Sequence, residues 1–511
     1  MFGDILLGLL IWVIVIGLLV VAGPWKKLHR ILLSDLTPLR LGIIAGTATI
    51  VILFLILPMG LDPVWNGENH GHRNQYEVMA DSLLEGHLDL RYDDDSIEDL
   101  DKLENPYDPK ARSEAKIYYH WDHAFYNHKY YMYFGIVPVI LLFLPFKAIF
   151  GVSLTTYHAT QVFVLAGVIG MYMLLYELAR RFLKKLPYVT FLYFAAAVSL
   201  LSFWYATGCP ALYCTAITAG ICMEVWSLFF FFRAVFIEKE ENKQILFAAL
   251  GSLFGALTFG CRPTIGLANI LVIPLLVVYL QKKKSITKEL VLKLILAALP
   301  YVVIGVLLMV YNAVRFGSPF EFGQRWQLTN ADQSNYSFLS QLNIGNEIKG
   351  MGIMAFGLPR FSKTFPFIGY FGGIFINFPL LLFTLVPLLF PAVRERIRRF
   401  HLKGFVITYH VTIFLMLFMC ILYTPYINER YRMDEYFLAG IMAFLLMGFL
   451  HAGMPKKKQR RVVSSVACFL SVAAICTAFL FFLVPNNSNY AMNNSDFLQH
   501  VLQILTFRLA G

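Results

Sequence analysis

The sequence lacks the motifs that would place it in a familiar class of nucleotide-using protein. It contains no G-x-x-x-x-G-K-[ST] and no G-x-G-x-x-G pattern, the glycine-rich loops that hold nucleotide phosphates. Cysteine is scarce, with seven in 511 residues and no C-x-x-C, and we interpret these residues as small buried apolar side chains. No internal repeat and no low-complexity segment is found. These absences argue against an ATP-driven pump and against an enzyme that uses a nucleotide sugar from the cytoplasm.

Charge is also scarce, and hydrophobic residues dominate. Charged residues make up 15% of the chain and hydrophobic residues 58%, whereas a soluble domain is about 45–50% apolar. Runs such as 5–22, 41–58 and 462–484 are long enough to cross a bilayer. The first run follows no Lys or Arg and precedes no A-x-A-like site, so it is predicted to span rather than to be cleaved. The predicted fold class is an all-α polytopic membrane protein.

The positive-inside rule places basic clusters on the cytoplasmic side. The net charge of +11 comes from six such clusters between apolar runs, which are 26–30, 180–185, 239–243, 282–288, 394–403 and 456–461. It is therefore not a nucleic-acid signal. If all six are cytoplasmic, an even number of spans separates each neighbouring pair. The run 133–150 breaks this rule, but it contains Pro138, Pro145 and Lys147, and we predict that it lies at the outer interface without spanning. The predicted spans are then 5–22, 41–58, 156–178, 187–207, 214–236, 244–260, 264–281, 291–311, 371–392, 404–424, 434–452 and 462–484.

This topology gives about twelve transmembrane helices in a domain over 1–484, with both termini outside the cell membrane. An extracytoplasmic tail follows over 485–511, in which 497–509 is predicted to form a short amphipathic helix. Two long loops, 61–155 and 312–370, also lie outside. Residues 61–130 hold sixteen Asp and Glu against seven Lys and Arg, so the first loop is acidic in an otherwise basic chain. The active face is therefore predicted to be extracytoplasmic.

Two parts of the first loop offer carboxylates. Residues 74–85 are predicted to form an amphipathic helix ending at Gly86, with Asp81 near the edge of its apolar stripe. Asp122 lies in His120-Trp121-Asp122-His123, just before the interfacial run. A carboxylate near a low-dielectric boundary is suited to act as a general base, and the two histidines would tune it or help to hold a metal. The alternative is that Asp122 caps the following helix.

Arginines at the outer ends of predicted spans oppose the usual charge bias and need an anionic partner. Such a partner is a substrate phosphate, which matches the guanidinium fork, or a lipid phosphate, or a local acid such as Asp434. One acid, Glu224, lies within a predicted span, and its partner is not evident from the sequence. The outward arginines are Arg262, Arg315, Arg430 and Arg432.

An outward cleft with carboxylates, arginines and aromatics suits a lipid-linked phosphate that carries a polar headgroup. The arginines would stabilise the leaving phosphate, and one carboxylate would deprotonate an acceptor hydroxyl that attacks the sugar with inversion. The alternative is a transporter or flippase of a lipid-linked saccharide, which would use the same arginines but predicts repeats and broken spans. A non-catalytic scaffold would leave the arginines unexplained.

The chain resembles the GT-C superfamily of membrane glycosyltransferases. Its layout, with an acidic outer first loop, an interfacial helix ending at Phe150-Gly151 and a span ending in YELARRF, is similar to that of protein O-mannosyltransferases and lipid A aminoarabinose transferases. The stretches WDHAFYNHKYYMYFG over 121–135, RFGSPFEFG over 315–323 and ERYRMD over 429–434 are similar to bacterial members of this class whose acceptors are mostly unassigned.

The resemblance implies a polyprenyl-phosphate-linked sugar donor and an extracytoplasmic glycan, lipid or cell-wall polymer as acceptor, in contact with membrane lipids. Many relatives need no metal, so no cofactor is predicted, although a divalent ion stays open. The acidic signature typical of GT-C enzymes is missing from 61–74, where Asp62 and Glu68 are the only acids. The candidate bases are therefore, in order, Asp122, Glu68, Asp81 and Asp62. The candidate substrate-binding residues are Arg262, Arg315, Arg430, Arg432, His120, His123, Tyr131 and Asp434.

Overall fold

Apolar spanning helices form the body of the protein. A computed structural model describes residues 2–25, 27–35, 37–61, 74–208, 212–283, 285–335, 342–423, 429–484 and 495–507. Eleven helices in these ranges are long and apolar enough to cross a membrane, so the predicted all-α polytopic fold is confirmed. These helices are Gly3–Ala22, Pro38–Met59, Thr156–Phe182, Tyr188–Tyr205, Leu212–Ile237, Glu241–Cys261, Pro263–Gln281, Lys288–Phe316, Lys403–Leu422, Glu429–Gly453 and Lys457–Leu483.

The predicted span over 371–392 is not one continuous helix. It consists of a short helix Ile374–Asn377, a 3₁₀ segment Pro379–Leu385 and a further short helix Val386–Leu389. Pro379 and Pro387 lack the amide hydrogen that a regular α-helix needs. Because a 3₁₀ helix rises about 2.0 Å per residue and an α-helix about 1.5 Å, the segment Pro379–Leu385 is longer than an α-helix with the same number of residues.

Only part of the run over 133–150 is helical. A π-helical turn Val139–Phe143 continues into an α-helix Leu144–Phe150, and together they are too short for the roughly 20 residues of a span. This helix packs on the amphipathic helix Gln75–Leu84, where the Tyr76 ring stacks on Phe143 with centroids 5.2 Å apart. Asn74 caps Gln75–Leu84, and its side chain accepts hydrogen bonds from the amides of Tyr76 and Glu77.

The six basic clusters gather at one end of the bundle, in agreement with the predicted topology. Glu177 lies 3.3 Å from Arg180 and 3.5 Å from Arg233, which ties the second cluster to the end of the Leu212–Phe232 helix. Further contacts connect the remaining clusters to this end. They are the Leu33 amide to the Leu186 carbonyl (3.0 Å), Lys283 to Glu241 (2.9 Å), Phe182 to Phe400 (5.1 Å between centroids), Arg396 to the Ala452 carbonyl (2.7 Å) and His29 to Ser464 (2.7 Å).

The spans differ strongly in how much of their surface the protein covers. Tyr188–Tyr205 and Glu429–Gly453 are each 89% buried, whereas Gly3–Ala22 is 11% and Lys288–Phe316 is 6% buried. Tyr188–Tyr205 and Glu429–Gly453 therefore form the centre of the bundle. Gly3–Ala22 and Lys288–Phe316 present apolar side chains to lipid, which does not penalise their exposure. The central Glu429–Gly453 helix begins at the end of the bundle opposite the basic clusters.

The remaining elements are short. A hairpin pairs Ala124–Phe125 with Tyr130–Tyr131, and its turn residues Asn127 and His128 both have positive φ, as a type I′ turn requires. The other short elements are the helices Ser96–Asp101, Pro109–Glu114, Ile344–Phe356, Pro391–Arg399 and Ser495–Thr506, the 3₁₀ helices Leu28–Arg30, Leu57–Leu61, Leu267–Leu271 and Gln324–Trp326, the π-turn Arg233–Ile237, and the strands Arg360–Phe361 and Ile368–Tyr370.

Candidate active site

Asp122 lies buried between the two outer loops. Its backbone adopts a left-handed conformation with φ of 58°, which Asp tolerates better than most residues. This conformation is held from both sides, because its amide donates to the Leu328 carbonyl (3.1 Å) and its carbonyl accepts from Gln75 Nε2 (2.8 Å). Gln327 Nε2 donates to the carboxylate Oδ1 over 3.0 Å. The carboxylate is therefore held in one position and is not a helix cap.

The surroundings of Asp122 suit it to accept a proton near neutral pH. Burial raises the pKa of its carboxyl from 3.8 to about 6, while the Arg430 guanidinium and hydrogen bonds from Trp121 and Gln327 act in the opposite direction. Burial dominates because only 7% of the residue is exposed. At neutral pH the group is ionised but basic enough to take a proton from a hydroxyl.

Arg430 connects this carboxylate to the membrane end of the site. It stands at the start of the helix Glu429–Gly453, with its guanidinium 3.9 Å from the centroid of the Tyr213 ring and 5.3 Å from that of Tyr431. Nη2 also donates to the Tyr431 hydroxyl over 3.4 Å. The flat aromatic faces fix the plane of the guanidinium without neutralising its charge.

Arg262 forms an ion pair with Asp434. Its Nε lies 2.8 Å from both carboxylate oxygens, and Thr264 Oγ1 donates to Asp434 Oδ2 over 2.7 Å. The sequence left two partners open for Arg262, a substrate phosphate and a local acid, and the structure pairs it with the local acid Asp434. The contact uses Nε, one of three nitrogens of the guanidinium. Tyr133, whose pKa is raised to about 12 by burial, lies near Arg262, Arg430 and Asp122 and so joins the two halves of the site.

Arg432 and Arg315 are committed to contacts within the protein. Arg432 Nη1 bonds to the Glu429 carboxylate, which also accepts from the Tyr436 hydroxyl over 3.2 Å. Arg315 Nη1 donates to the Met132 carbonyl (2.7 Å), and its guanidinium stacks 3.7 Å from the Tyr311 ring centroid. Arg315 therefore braces the strand that carries Tyr131.

Tyr131 itself lies within that hairpin. It pairs with Ala124 in the antiparallel ladder, and its ring packs against Phe316 with centroids 5.4 Å apart. Burial raises the pKa of its hydroxyl. These contacts place Tyr131 in the hairpin that follows Asp122, packed against Phe316.

The two histidines have different surroundings. His123 Nδ1 lies 2.8 Å from the Trp121 carbonyl and Nε2 lies 2.6 Å from the Tyr92 hydroxyl, so both ring nitrogens have partners. Burial lowers the pKa of His123 to about 3, which keeps the ring neutral. His120 Nε2 lies 2.8 Å from Asp94 Oδ2, and its ring stacks on Tyr92. Both histidines thus support the segment that carries Asp122.

Of the other three candidate bases, Asp81 lies among the described residues. Asp81 lies 3.3 Å from Lys147 Nζ and links the helix Gln75–Leu84 to the helix Leu144–Phe150. Asp62 and Glu68 fall outside the described residues. Among the residues that the structure describes, no group of three or more His, Cys, Asp or Glu side chains is arranged to hold a metal ion.

Sequence reasoning missed three residues that define the site. Gln75 and Gln327 hold Asp122, and Tyr133 interacts electrostatically with Asp122, Arg262 and Arg430. Neutral amides carry no charge pattern, so nothing in the sequence singled them out. Tyr133 did carry a signal, since it lies in the stretch 121–135 with the histidines and Asp122.

The chain has a low similarity to a solved structure. Among solved structures, the chain is similar to the crystal structure of the Archaeoglobus fulgidus oligosaccharyltransferase in its apo form, with a TM-score of 0.33 and 13% identity. The alignment covers 90% of this chain but 59% of that chain, so this protein spans less than two thirds of that enzyme's length. No protein-family model and no curated protein matches the sequence. A TM-score this low does not establish a shared fold, and the identity is too low to indicate a substrate.

Proposed function

We propose that the chain is an integral-membrane glycosyltransferase that moves a sugar from a polyprenyl-phosphate-linked donor to an extracytoplasmic hydroxyl acceptor. One observation carries the proposal: the Asp122 carboxyl group is buried, and the charge of the Arg430 guanidinium acts on it at the end of the bundle opposite the basic clusters. A base and an anion-binding group then act at the same end of the bundle, as transfer from a lipid phosphate requires.

The proposed reaction is a single displacement. The Asp122 carboxylate takes the proton of the acceptor hydroxyl, whose oxygen attacks the anomeric carbon of the donor sugar. The bond from that carbon to the phosphate oxygen breaks, and the lipid phosphate leaves with the electron pair. Arg430, with Arg262 behind it, stabilises the charge on the departing phosphate. Attack from the face opposite the phosphate inverts the anomeric centre.

The test is transfer by purified protein in lipid nanodiscs from a panel of radiolabelled polyprenyl-phosphate sugars. Asp122→Asn should lose transfer by roughly 10²–10⁴-fold, the usual contribution of a general base, while it still binds donor. Asp81→Asn, in the same loop but paired with Lys147, should keep most of the activity. Equal losses in both variants would contradict the assignment of Asp122.

A transporter or flippase is the second candidate, and one intramembrane feature favours it. The span Pro263–Gln281 is interrupted by the 3₁₀ segment Leu267–Leu271, where Asn269 Nδ2 donates to Glu224 Oε2 over 3.0 Å. Broken spans and buried acids mark substrate paths in transporters. Proteoliposomes distinguish the two functions: lipid-linked sugar that crosses the bilayer without transfer to any acceptor would favour the transporter.

A further inference from the structure

A polar network crosses the middle of the bundle, where four spanning helices meet. It connects Glu224 in the span Leu212–Ile237 to groups on the three spans that follow it in the chain. Glu224 lies near the middle of its own span and is 0% exposed. An acid at this depth marks a functional site by default. The other members of the network are Gly255 and Thr258 in Glu241–Cys261, Gly266 and Asn269 in Pro263–Gln281, and Tyr301 in Lys288–Phe316.

Three oxygens converge on one nitrogen of this network. The Nδ2 atom of Asn269 lies 3.0 Å from Glu224 Oε2. It also lies 3.1 Å from the Gly255 carbonyl oxygen and 3.0 Å from the Gly266 carbonyl oxygen. An amide nitrogen carries two hydrogens, one too few for three acceptors. The second carboxylate oxygen, Glu224 Oε1, is buried and has no hydrogen-bond partner among the described residues, so the cluster holds more acceptors than donors.

In the part of the chain that the structure describes, no cationic side chain compensates the charge of Glu224. The groups that act on its carboxyl are the neutral side chains of Asn269 and Thr258. The titratable group that faces it from a neighbouring span is the Tyr301 hydroxyl, which donates to Asn269 Oδ1. A carboxylate in apolar surroundings needs a positive partner to offset the loss of its hydration. That partner is either a proton or a bound cation.

The surplus of oxygens favours a metal cation over a proton. A proton on the carboxyl supplies one donor, whereas a metal cation binds several oxygens at once. The single carboxylate sets the charge, because a monovalent cation makes the site neutral and a divalent one leaves a net positive charge away from water. Rotation of the Asn269 amide presents Oδ1 to the ion and leaves Nδ2 to donate to the Tyr301 hydroxyl oxygen.

A break in one spanning helix brings these oxygens together. Gly266 directly precedes the 3₁₀ segment Leu267–Leu271, which contains Asn269. Gly255 permits the close approach from the facing span, since a Cβ atom there would overlap with Asn269 Oδ1 and the Tyr301 hydroxyl. In membrane transporters, carbonyl oxygens at broken spans of this kind coordinate monovalent cations.

We propose that the Glu224 carboxylate, the Asn269 amide oxygen and two glycine carbonyl oxygens form a binding site for a monovalent metal cation, Na⁺ or K⁺. The Thr258 hydroxyl lies beside the carboxylate and adds a further oxygen. The ion holds the broken span Pro263–Gln281 against its neighbours. Thr264, which donates to Asp434, begins the same span, so the ion also fixes a segment of the candidate active site.

The test measures the melting temperature of the purified protein in detergent with the chloride salts of Na⁺, K⁺ and choline at constant ionic strength. Na⁺ or K⁺ should raise it by roughly 1–3 °C for each tenfold increase in concentration above the dissociation constant. Choline, an organic cation too large for the site, should not. The salt with the larger shift identifies the ion, and Glu224→Gln should remove the shift. No shift with either metal cation would overturn the proposal.

The matched control is Glu177→Gln. Glu177 is also a buried acid in a spanning helix, but it lies 3.3 Å from Arg180 and 3.5 Å from Arg233. Because its charge is already compensated, this variant should keep the cation-dependent shift. A shift that persists unchanged in Glu224→Gln would place the ion elsewhere and contradict the proposal.

Carbodiimide labelling tests the site in the wild-type protein if Glu224→Gln fails to fold. Dicyclohexylcarbodiimide reacts with a carboxyl group in apolar surroundings when that group is protonated, and mass spectrometry locates the adduct. In mildly acidic buffer, the bound metal cation should suppress the adduct at Glu224 about tenfold at a concentration ten times its dissociation constant. An adduct that forms equally in all three salts, or in none, would overturn the proposal. Neither measurement involves sugar transfer, so this proposal and the proposed function succeed or fail separately.

Discussion

At the scale of the residue, Asp122 combines features that stability alone would not select. It is a buried carboxylate in a left-handed backbone conformation, with a single side-chain donor from the second loop. Such strain and burial persist only when the surrounding structure imposes them, and they are concentrated at functional sites. Three groups impose them here: the Gln75 amide, the Leu328 carbonyl and the Gln327 amide.

The first prediction concerns pH. Because the base must be ionised, kcat/KM should be constant above pH 6 and should fall about tenfold for each pH unit below the pKa of about 6. Gln327→Leu removes a donor that stabilises the carboxylate, so its profile should move to higher pH. A pH–rate profile of both proteins measures this. An unchanged midpoint in Gln327→Leu would show that the titrating group is not Asp122.

The second prediction concerns stability. The rise in the pKa of Asp122 from 3.8 to about 6 means that folding disfavours the charged form, by about 3 kcal/mol at most. This destabilisation is absent below pH 3.8, grows as pH rises and is complete above pH 6. Asp122→Asn should therefore melt at a higher temperature than wild type at pH 8, and the difference should vanish near pH 4. Thermal melts in detergent at both pH values decide it, and a variant that is less stable at pH 8 would contradict it.

At the scale of the element, the site depends on the docking of two distant loops. Ala124 forms a bridge with Gln327, and the Leu328 amide donates to the His123 carbonyl over 2.9 Å. The second loop thus adds an extended segment to the hairpin of the first. Trp326 packs on Tyr126 at the same junction, with ring centroids 4.9 Å apart. Asp122 has its geometry only when both loops are in place.

The third prediction concerns the link between these loops. Arg112 is 1% exposed, and its guanidinium donates to the Pro106 carbonyl (2.6 Å) and to the Thr329 carbonyl (2.5 Å). Arg112→Leu leaves these carbonyls without a donor, at about 1–3 kcal/mol each. We expect faster proteolysis of both outer loops and a large loss of transfer. Lys110→Leu, on the exposed side of the same helix, is the control. Protease resistance retained in Arg112→Leu would show that the loops dock independently of Arg112.

At the scale of the whole molecule, basic and acidic residues are concentrated at opposite ends of the bundle. The six basic clusters share one end, and the acidic first loop lies at the other with the second loop and the tail helix. His500 on the tail helix lies 3.6 Å from Asp4 at the start of the first span, so the two terminal helices meet at the end opposite the basic clusters. This distribution predicts the orientation in the membrane.

The fourth prediction tests that orientation. In intact cells, a membrane-impermeant maleimide should label a cysteine introduced at Lys110 and should not label one at Lys239. Both positions are exposed and lie at opposite ends of the bundle. Permeabilised cells should label both, which controls for reactivity. Labelling of the Lys239 position in intact cells would reverse the topology and place Asp122 on the cytoplasmic side.

The helical membrane fold could be predicted from the sequence because lipid imposes a local rule. Every backbone polar group of a span must be satisfied within its own helix, so composition and run length suffice. The amphipathic pattern of 74–85 correctly predicted the helix Gln75–Leu84, and the run 133–150 contains the short helix Leu144–Phe150. Hydropathy also predicted one helix over 371–392, whereas the prolines of that segment divide it into short pieces.

The sequence by itself thus determined the class of fold, the common end of the basic clusters and the group of residues around Asp122 and the outward arginines. Only the tertiary structure decided what each side chain does. Arg262 and Arg432 are paired with acids, Arg315 supports a strand, and the charge of Arg430 favours the ionised form of Asp122. The physical reason is distance along the chain: hydropathy and charge bias act within one segment, whereas the pKa and position of Asp122 depend on contacts with Gln327 and Arg430, hundreds of residues away.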